Sequence, residues 1–282
     1  MKIIKKDILI LGGDSKLGQA IIHNFKKAKI GFISTTRDIN KVYKKNIFFD
    51  FNNFQDFQIP KTIKIVYFCA SITSKNIFKK KKKQTRNINV IKTCKLIEKF
   101  LNLNINVIYF STNLVFSGNN IPFFYTSKLS PQNEYALQKT MVEKYLNNQK
   151  YKNYSIIRFG KIIFKNDKLL LNWIETIKKN LQFYIIKNRF ISPIYFTQAI
   201  EVIRKISLNN KFGIYQVSAK DSVSYLEIAK LFLKVLKGKS SLIKFRKLKK
   251  TYNSILISNI DNYKTINSKE AIKKFLLENR II

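Results

Sequence analysis

The sequence predicts an α/β protein, a doubly wound parallel sheet followed by a smaller C-terminal lobe. Three observations predict it. Short apolar runs alternate with amphipathic helical patterns through the first 160 residues. The first run, Ile8–Leu11, leads directly into a glycine-bearing turn, Gly12-Gly-Asp-Ser15-Lys-Leu-Gly18, with a helical pattern behind it. After residue 159 the alternation loosens. Strands that are apolar on both faces and joined by helices build parallel sheets with crossover connections.

Taken in order, strands are expected at Ile8–Leu11, 30–34, 46–49, 63–69, 106–110 and 155–158. Between them the 3.6-residue period marks helices at 17–28, 85–101 and Glu134–Asn147. Residues 1–160 form the nucleotide-binding domain on this reading, with 190–220 returning to its sheet. Residues 161–282 form mainly the second lobe. That lobe is expected to hold a helix at 168–179, a strand at Phe183–Ile186, a helix at 197–207, a strand at Gly213–Val217 and a helix at 224–236. In the last of these, Leu226, Ile228, Leu231 and Leu233 have apolar spacing. The final 40 residues carry weak signals, and neither an internal repeat nor a clear linker is visible.

With 282 residues, 45% of them hydrophobic, the chain can bury a substantial core. Its formal net charge of +38 would ordinarily suggest nucleic acid or an anionic surface. The excess is nearly all Lys, scattered among abundant Asn, Ile, Phe and Tyr. A strong AT bias in the coding DNA produces that mixture, so the charge is discounted and no nucleic-acid partner is expected. The run 79–83 is read as a solvated loop or helix start. Cys69 and Cys94 are expected as ordinary core thiols. With His23 the single histidine, no metal site is expected. Residues 1–13 only imitate a leader, because Asp7 interrupts them and the apolar run is short. No apolar run approaches 18 residues, so a cytoplasmic protein without a membrane span is expected.

A strand, a glycine-rich turn and a helix N-terminus together hold a pyrophosphate through backbone N–H groups and the helix dipole. Gly12 serves the tight turn and Gly18 the close packing of helix on strand. Ser15 stands where a third glycine is expected, and a merely structural turn remains the alternative. After the second strand come Ser34-Thr-Thr36-Arg37, with no acidic residue in the place that would bind a ribose 2′-hydroxyl. Hydroxyls, Arg37 and Lys16 suit a 2′-phosphate, so NADP(H) is expected in preference to NAD(H). Asp38 is the acidic group that would oppose this.

Tyr135 and Lys139 are four apart in a segment that reads as helical, so both side chains share one face. One ammonium about 4 Å from a phenol, at an effective dielectric of about 20, supplies roughly the 4 kcal/mol that brings a phenol of pKa about 10 toward neutrality. Alone the pair is weak evidence in a chain so rich in Tyr and Lys. Tyr109-Phe-Ser111-Thr112-Asn-Leu-Val-Phe-Ser-Gly118 adds hydroxyls at the carboxyl end of the fifth strand, where ligands bind in such sheets.

Ser-Thr-x-x-Val-Phe-x-Gly, followed some twenty residues later by Pro-x-Asn-x-Tyr-x-x-x-Lys, resembles the extended short-chain dehydrogenase/reductase superfamily. Within it the dTDP-4-dehydrorhamnose reductase family is closest. The likeness continues through 66–73, 89–93, Arg158, Ser192-Pro193 and 213–218. It implies a Rossmann-type fold and reduction of a 4-keto nucleotide-deoxysugar for surface polysaccharide synthesis. Tyr135 would be the general acid, Lys139 would tune it and bind the nicotinamide ribose, Thr112 would orient the carbonyl, and Asn89 would join the catalytic set. The implied cofactor contacts are Gly12, Ser15, Lys16, Leu17, Gly18, Thr36, Arg37, Asp50, Phe51, Ala70, Ser71, Tyr135 and Lys139. The implied substrate contacts are Thr73, Asn113, Phe159, Arg189 and Ser192.

Lys161, Lys187 and Arg189 are candidates for a substrate diphosphate, and Trp173 is read as core rather than as a stacking platform. Asn113, Ala136 and Gln138 depart from the family's Asp, Gly and Ser, which leaves the sugar open. Three other readings remain: an epimerase or dehydratase of the same superfamily, a catalytically silent NADP-binding subunit or sensor, and a nucleic-acid-binding module. The assembly is left open as well, a homodimer included.

Overall fold

The computed structural model describes residues 7–247, 249 and 253–282, without the side chains of Lys75 and Lys79. The first six residues of the leader-like start therefore lie outside the described residues, as does the side chain of Lys79 in the basic run. The apolar runs become strands because both of their faces are covered: all four residues of β1 (Ile8–Leu11) are buried, as are all six of β7 below.

From β1 the chain continues through α1 (Lys16–Lys27), β2 (Ile33–Thr36), β3 (Asn46–Phe48), β4 (Ile65–Phe68), α2 (Lys75–Lys80) and α3 (Lys82–Arg86). Next come α4 (Thr93–Asn102), β5 (Asn106–Thr112), β6 (Ile121–Phe123), α5 (Glu134–Asn147), β7 (Tyr154–Phe159), β8 (Ile162–Ile163) and α6 (Lys168–Lys178). The remainder runs through β9 (Phe183–Ile186), β10 (Phe190–Ile191), β11 (Ile194–Tyr195), α7 (Phe196–Ser207), β12 (Gly213–Val217) and β13 (Val223–Ser224). It ends with α8 (Tyr225–Val235), β14 (Ile243–Arg246), β15 (Ser254–Leu256) and α9 (Ser268–Glu278).

Seven strands form one sheet in the order β12-β7-β5-β4-β1-β2-β3. The pairs β1–β2, β1–β4, β2–β3 and β4–β5 are parallel, with Leu9 opposite Ile33 on one side and Val66 on the other. The strand order reverses between β1 and β4, the switch point at whose carboxyl side such sheets bind ligands. This is the doubly wound, Rossmann-type sheet expected from the sequence.

The chain divides into two compact units that interleave along it. Among the described residues, the first comprises those up to Thr112 with 133–158 and 200–215. The second comprises 113–132, 159–199 and 216–282. The first unit's core packs Leu9, Leu11, Val66 and Phe68 of the sheet against Leu96, Ile97 and Phe100 of α4 and Val142 and Leu146 of α5. The second has its own core, in which Trp173 meets Tyr225 edge-on at 5.4 Å and lies 6.1 Å from Phe183. Trp173 is thus a packing residue. Among the described residues no helix is long and apolar enough to cross a membrane.

Three elements differ from expectation. Strand β2 begins at Ile33 and runs through Thr36, because the β-branched threonines extend it toward the loop. The helix expected over 85–101 is broken: α3 gives way to a π-helical turn, Asn87–Lys92, before α4 begins. The weakly patterned C-terminus holds β14, β15 and α9, whose Ala271, Ile272, Phe275 and Leu276 are buried on one face.

Candidate active site

The loop after β1 forms a close cradle. Gly12 has φ +87°, and a Cβ there would stand 2.6 Å from the Ala70 nitrogen. At Gly18 a Cβ would stand 2.4 Å from the Gly12 carbonyl oxygen, so α1 sits on the turn as closely as backbone allows. Ser15 caps α1, its Oγ accepting from Gly18 N at 3.0 Å, and the helix's first turn carries no acidic residue. A helix N-terminus without acidic residues, beside a turn that admits only backbone, fits a pyrophosphate.

Beside this cradle lies a cleft of about 540 Å³. Gly12, Ser15, Thr36 and Arg37 line it from the loop and β2, and Asp50 and Phe51 line it from the turn after β3. Ala70, Ser71 and Thr73 complete it after β4. Most of the expected cofactor residues thus meet in one place. Lys16, Leu17 and Gly18 belong to the first turn of α1 and not to the cleft's wall, and Tyr135 and Lys139 also stand outside it.

The β2 corner differs from expectation. Thr35 Oγ1 accepts from Gly12 N at 2.8 Å, and Thr36 Oγ1 donates to Asp14 Oδ2 at 2.7 Å. Arg37 N donates to the same oxygen at 3.3 Å. The carboxylate at this corner therefore comes from Asp14 in the glycine loop, which sequence reading missed. Asp38 is turned to local use: it caps the next turn through Asn40 N and pairs with Lys41 at 3.0 Å. The Lys41 hydrogen bond holds its carboxyl below the usual range.

Helix α5 starts at Asn133, whose Oδ1 accepts from Ala136 N at 2.9 Å, and carries Tyr135 and Lys139 one turn apart. Lys139 is only 7% exposed and donates to the Phe110 carbonyl at 2.8 Å, two residues before Thr112 at the end of β5. Its Nζ lies 4.5 Å from the centre of the Tyr109 ring and 5.8 Å from that of Tyr135. Tyr109 is a neighbour that sequence reading did not single out. Burial pulls the Lys139 ammonium down to about 8, against the pull of Glu143. Desolvation pushes the Tyr135 phenol up to about 12. Burial therefore outweighs the depression of the phenol expected from Lys139, whose ammonium donates to a backbone carbonyl.

Asn89 occupies the π-helical turn, a rare local geometry. Its Nδ2 donates to the Ile72 carbonyl (2.9 Å) and to Gln138 Oε1 (3.0 Å), while its Oδ1 accepts from Ile72 N (2.8 Å) and Ser71 Oγ (3.2 Å). These four bonds use the whole amide. Asn89 is thus a clamp that ties the wall after β4 to α5 rather than a group aimed at a reacting atom. Gln138 is buried and also donates to Thr85 Oγ1 and Glu134 Oε1, and Glu134 pairs with Lys82 at 2.9 Å. What reads as a departure from the family is the partner that Asn89 needs.

Of the expected substrate residues, Thr73 lines the cleft. The other four belong to the second unit. Asn113 is buried, donating to the Ser254 carbonyl at 2.9 Å, and Ser192 is buried, accepting from Asn253 at 3.0 Å. Phe159 is buried too. These three are built into that unit's interior. Arg189 lies over the Tyr225 ring at 5.1 Å, and Lys161 pairs with Asp167 at 2.7 Å. Cys69 and Cys94 are free thiols, and His23 is exposed on α1.

The model of a family described as the RmlD substrate binding domain matches residues 6–254 of the chain. No curated protein sequence matches it. Among solved structures the chain is similar to dTDP-4-dehydrorhamnose reductase from Bacillus anthracis str. Ames in complex with NADP, with TM-score 0.80 and 18% identity over 99% of this chain and 100% of that one. It is similar to the dTDP-4-dehydrorhamnose reductase ortholog of Clostridium acetobutylicum, with TM-score 0.76 and 18% identity over 95% and 98%. A UDP-glucose 4-epimerase from Thermotoga maritima, with UDP-glucose, matches with TM-score 0.77 and 15% identity over 97% and 98%. At these identities the shared property is the fold.

Proposed function

The chain belongs to the RmlD substrate binding domain family, within the NAD(P)-dependent oxidoreductases of the extended short-chain dehydrogenase/reductase superfamily, and we propose that it reduces a 4-keto nucleotide-deoxysugar with NADPH for surface polysaccharide synthesis. One observation carries this reading. Tyr135 and Lys139 share a face of α5, with the Lys139 ammonium bound to Phe110 O beside Thr112, at the carboxyl edge of a sheet that also carries the glycine cradle.

In this mechanism the first unit would hold the dinucleotide, with the glycine cradle and the α1 N-terminus facing its pyrophosphate. A bound reduced nicotinamide would supply the hydride that reduces the carbonyl carbon. Thr112 orients the carbonyl oxygen, and Tyr135, protonated at working pH, gives that oxygen its proton. The product is an alcohol, and a phenolate remains on Tyr135 that Lys139 stabilises until solvent returns the proton. Asn89 and Gln138 hold the cleft wall and the tyrosine helix in one register.

The preference for NADPH rests on Arg37 and on exposed Lys16, and Asp14 works against it. A single charge about 6 Å from a phosphate at an effective dielectric of about 40 is worth roughly tenfold in selectivity. Asp14→Asn is therefore expected to raise the ratio of kcat/KM for NADPH over NADH by about tenfold, measured by steady-state kinetics with each cofactor.

The reaction is tested by NADPH consumption over a panel of 4-keto nucleotide sugars, with product stereochemistry determined. Stoichiometric oxidation with one member of the panel supports the reading. Nucleotide retained through purification, with sugar turned over and no net NADPH oxidation, would replace it with an epimerase or dehydratase.

A further inference from the structure

Glu143 follows Lys139 by one turn and Tyr135 by two, so the i, i+4, i+8 spacing sets all three on one face of α5. Its carboxylate is fully buried. Arg158 Nε donates to its two oxygens at 3.2 and 3.1 Å, Arg158 Nη2 donates at 2.7 Å, and Ser111 Oγ makes a further short bond. Buried ion pairs add little net stability, because desolvation consumes most of the attraction. The location of this pair is what distinguishes it. Ser111 lies between Phe110, whose carbonyl receives the Lys139 ammonium, and Thr112.

We propose that Glu143, held by Arg158 and Ser111, is a positioning residue for the reaction: it fixes the end of β5 and supplies the buried negative charge against which Lys139 remains an ammonium. This rests on Tyr135 and Lys139 being the reacting pair. The groups that face Lys139 are Tyr135 and Glu143 from α5, the Tyr109 ring and Phe110 carbonyl from β5, and the Cys69 thiol just after β4. Arg158, from β7, reaches it only through Glu143. Among these, Glu143 is the carboxylate. Burial already pulls Lys139 toward neutrality, and Glu143 opposes that pull. With Glu143 neutral, the Arg158 charge would join burial in discharging the lysine. A neutral amine can still donate to Phe110 O, but it offers the phenolate no charge.

Glu143→Gln tests the charge with shape retained, and the double variant E143L/R158M removes both charges with apolar groups of similar volume, a replacement that buried pairs commonly tolerate. Two readouts are taken. The first is the pH dependence of acetic anhydride labelling at Lys139, read by peptide mass spectrometry on the folded protein. The second is the pH profile of kcat for NADPH oxidation. The labelling midpoint is expected to fall by about one unit or more in Glu143→Gln, with kcat at pH 7 down about twofold or more and substrate KM within about threefold. The double variant should lie between it and the parent. A folded double variant with the parent's labelling midpoint and kcat profile would overturn the proposal, and this arm stands even where Glu143→Gln does not fold. Where no substrate is consumed, the reaction assigned above fails, while the labelling midpoint still decides the role of Glu143.

Discussion

Tyr135→Phe is expected to lower kcat by about 10²- to 10⁴-fold, the range that a positioned proton donor contributes, with dinucleotide affinity unchanged. The change removes one oxygen and keeps the ring, whose edge contact with Phe78 at 5.9 Å is apolar and survives. Tyr135 is not in the wall of the cleft proposed for the dinucleotide, so binding measured by fluorescence titration should not move. The pH dependence of the parent follows from the same geometry. With the phenol pushed up to about 12, the donor is protonated throughout the working range and imposes no limb there. Lys139, pulled down to about 8 by burial, loses its charge as pH rises through that value. Turnover in the reductive direction should thus be level below about 8 and decline above it. A profile that instead rises through pH 8 would mean that a neutral Lys139 is the active form.

Arg158→Ala is expected to cost about 3–5 kcal/mol, measured by urea unfolding, because it strands a fully buried carboxylate without its ionic partner. Arg158 is 2% exposed and Glu143 0%, so neither can turn to solvent. Ser111 alone cannot replace the guanidinium's donors. The pairs Lys41–Asp38 and Lys179–Glu175 form a contrast. Both are exposed, and Lys179→Ala should leave unfolding unchanged within error.

The parts legible in the sequence are those in which neighbours along the chain are neighbours in space. The run Ile8–Leu11 into Gly12 announced strand, cradle and helix because each depends on residues within ten positions of it. Tyr135 and Lys139 were legible because helical spacing alone puts them on one face. Asp14 shows where this fails. It carries no signal of its own in the sequence, and it acts at the β2 corner because Thr36, 22 residues on, is brought beside it by parallel pairing. Asn89 and Gln138 stand 49 positions apart, and neither residue alone signals that its amide will be spent on the other. The π-helical turn is equally invisible, since one extra residue in a helix leaves almost no mark on apolar periodicity.

The sequence by itself therefore determined the sheet, the glycine cradle and the Tyr135–Lys139 pair, all set by strand burial, glycine sterics and helical spacing, which are short-range properties. Only the tertiary structure decided the electrostatic state of that pair. From spacing alone Lys139 was expected to acidify the phenol. In the fold its ammonium faces Phe110 O and the Tyr109 ring, burial moves the two groups to about 8 and about 12, and a carboxylate one turn away opposes its loss of charge. Charge energies depend on burial and on distances across the fold, and a linear sequence encodes neither until the strands and helices have packed.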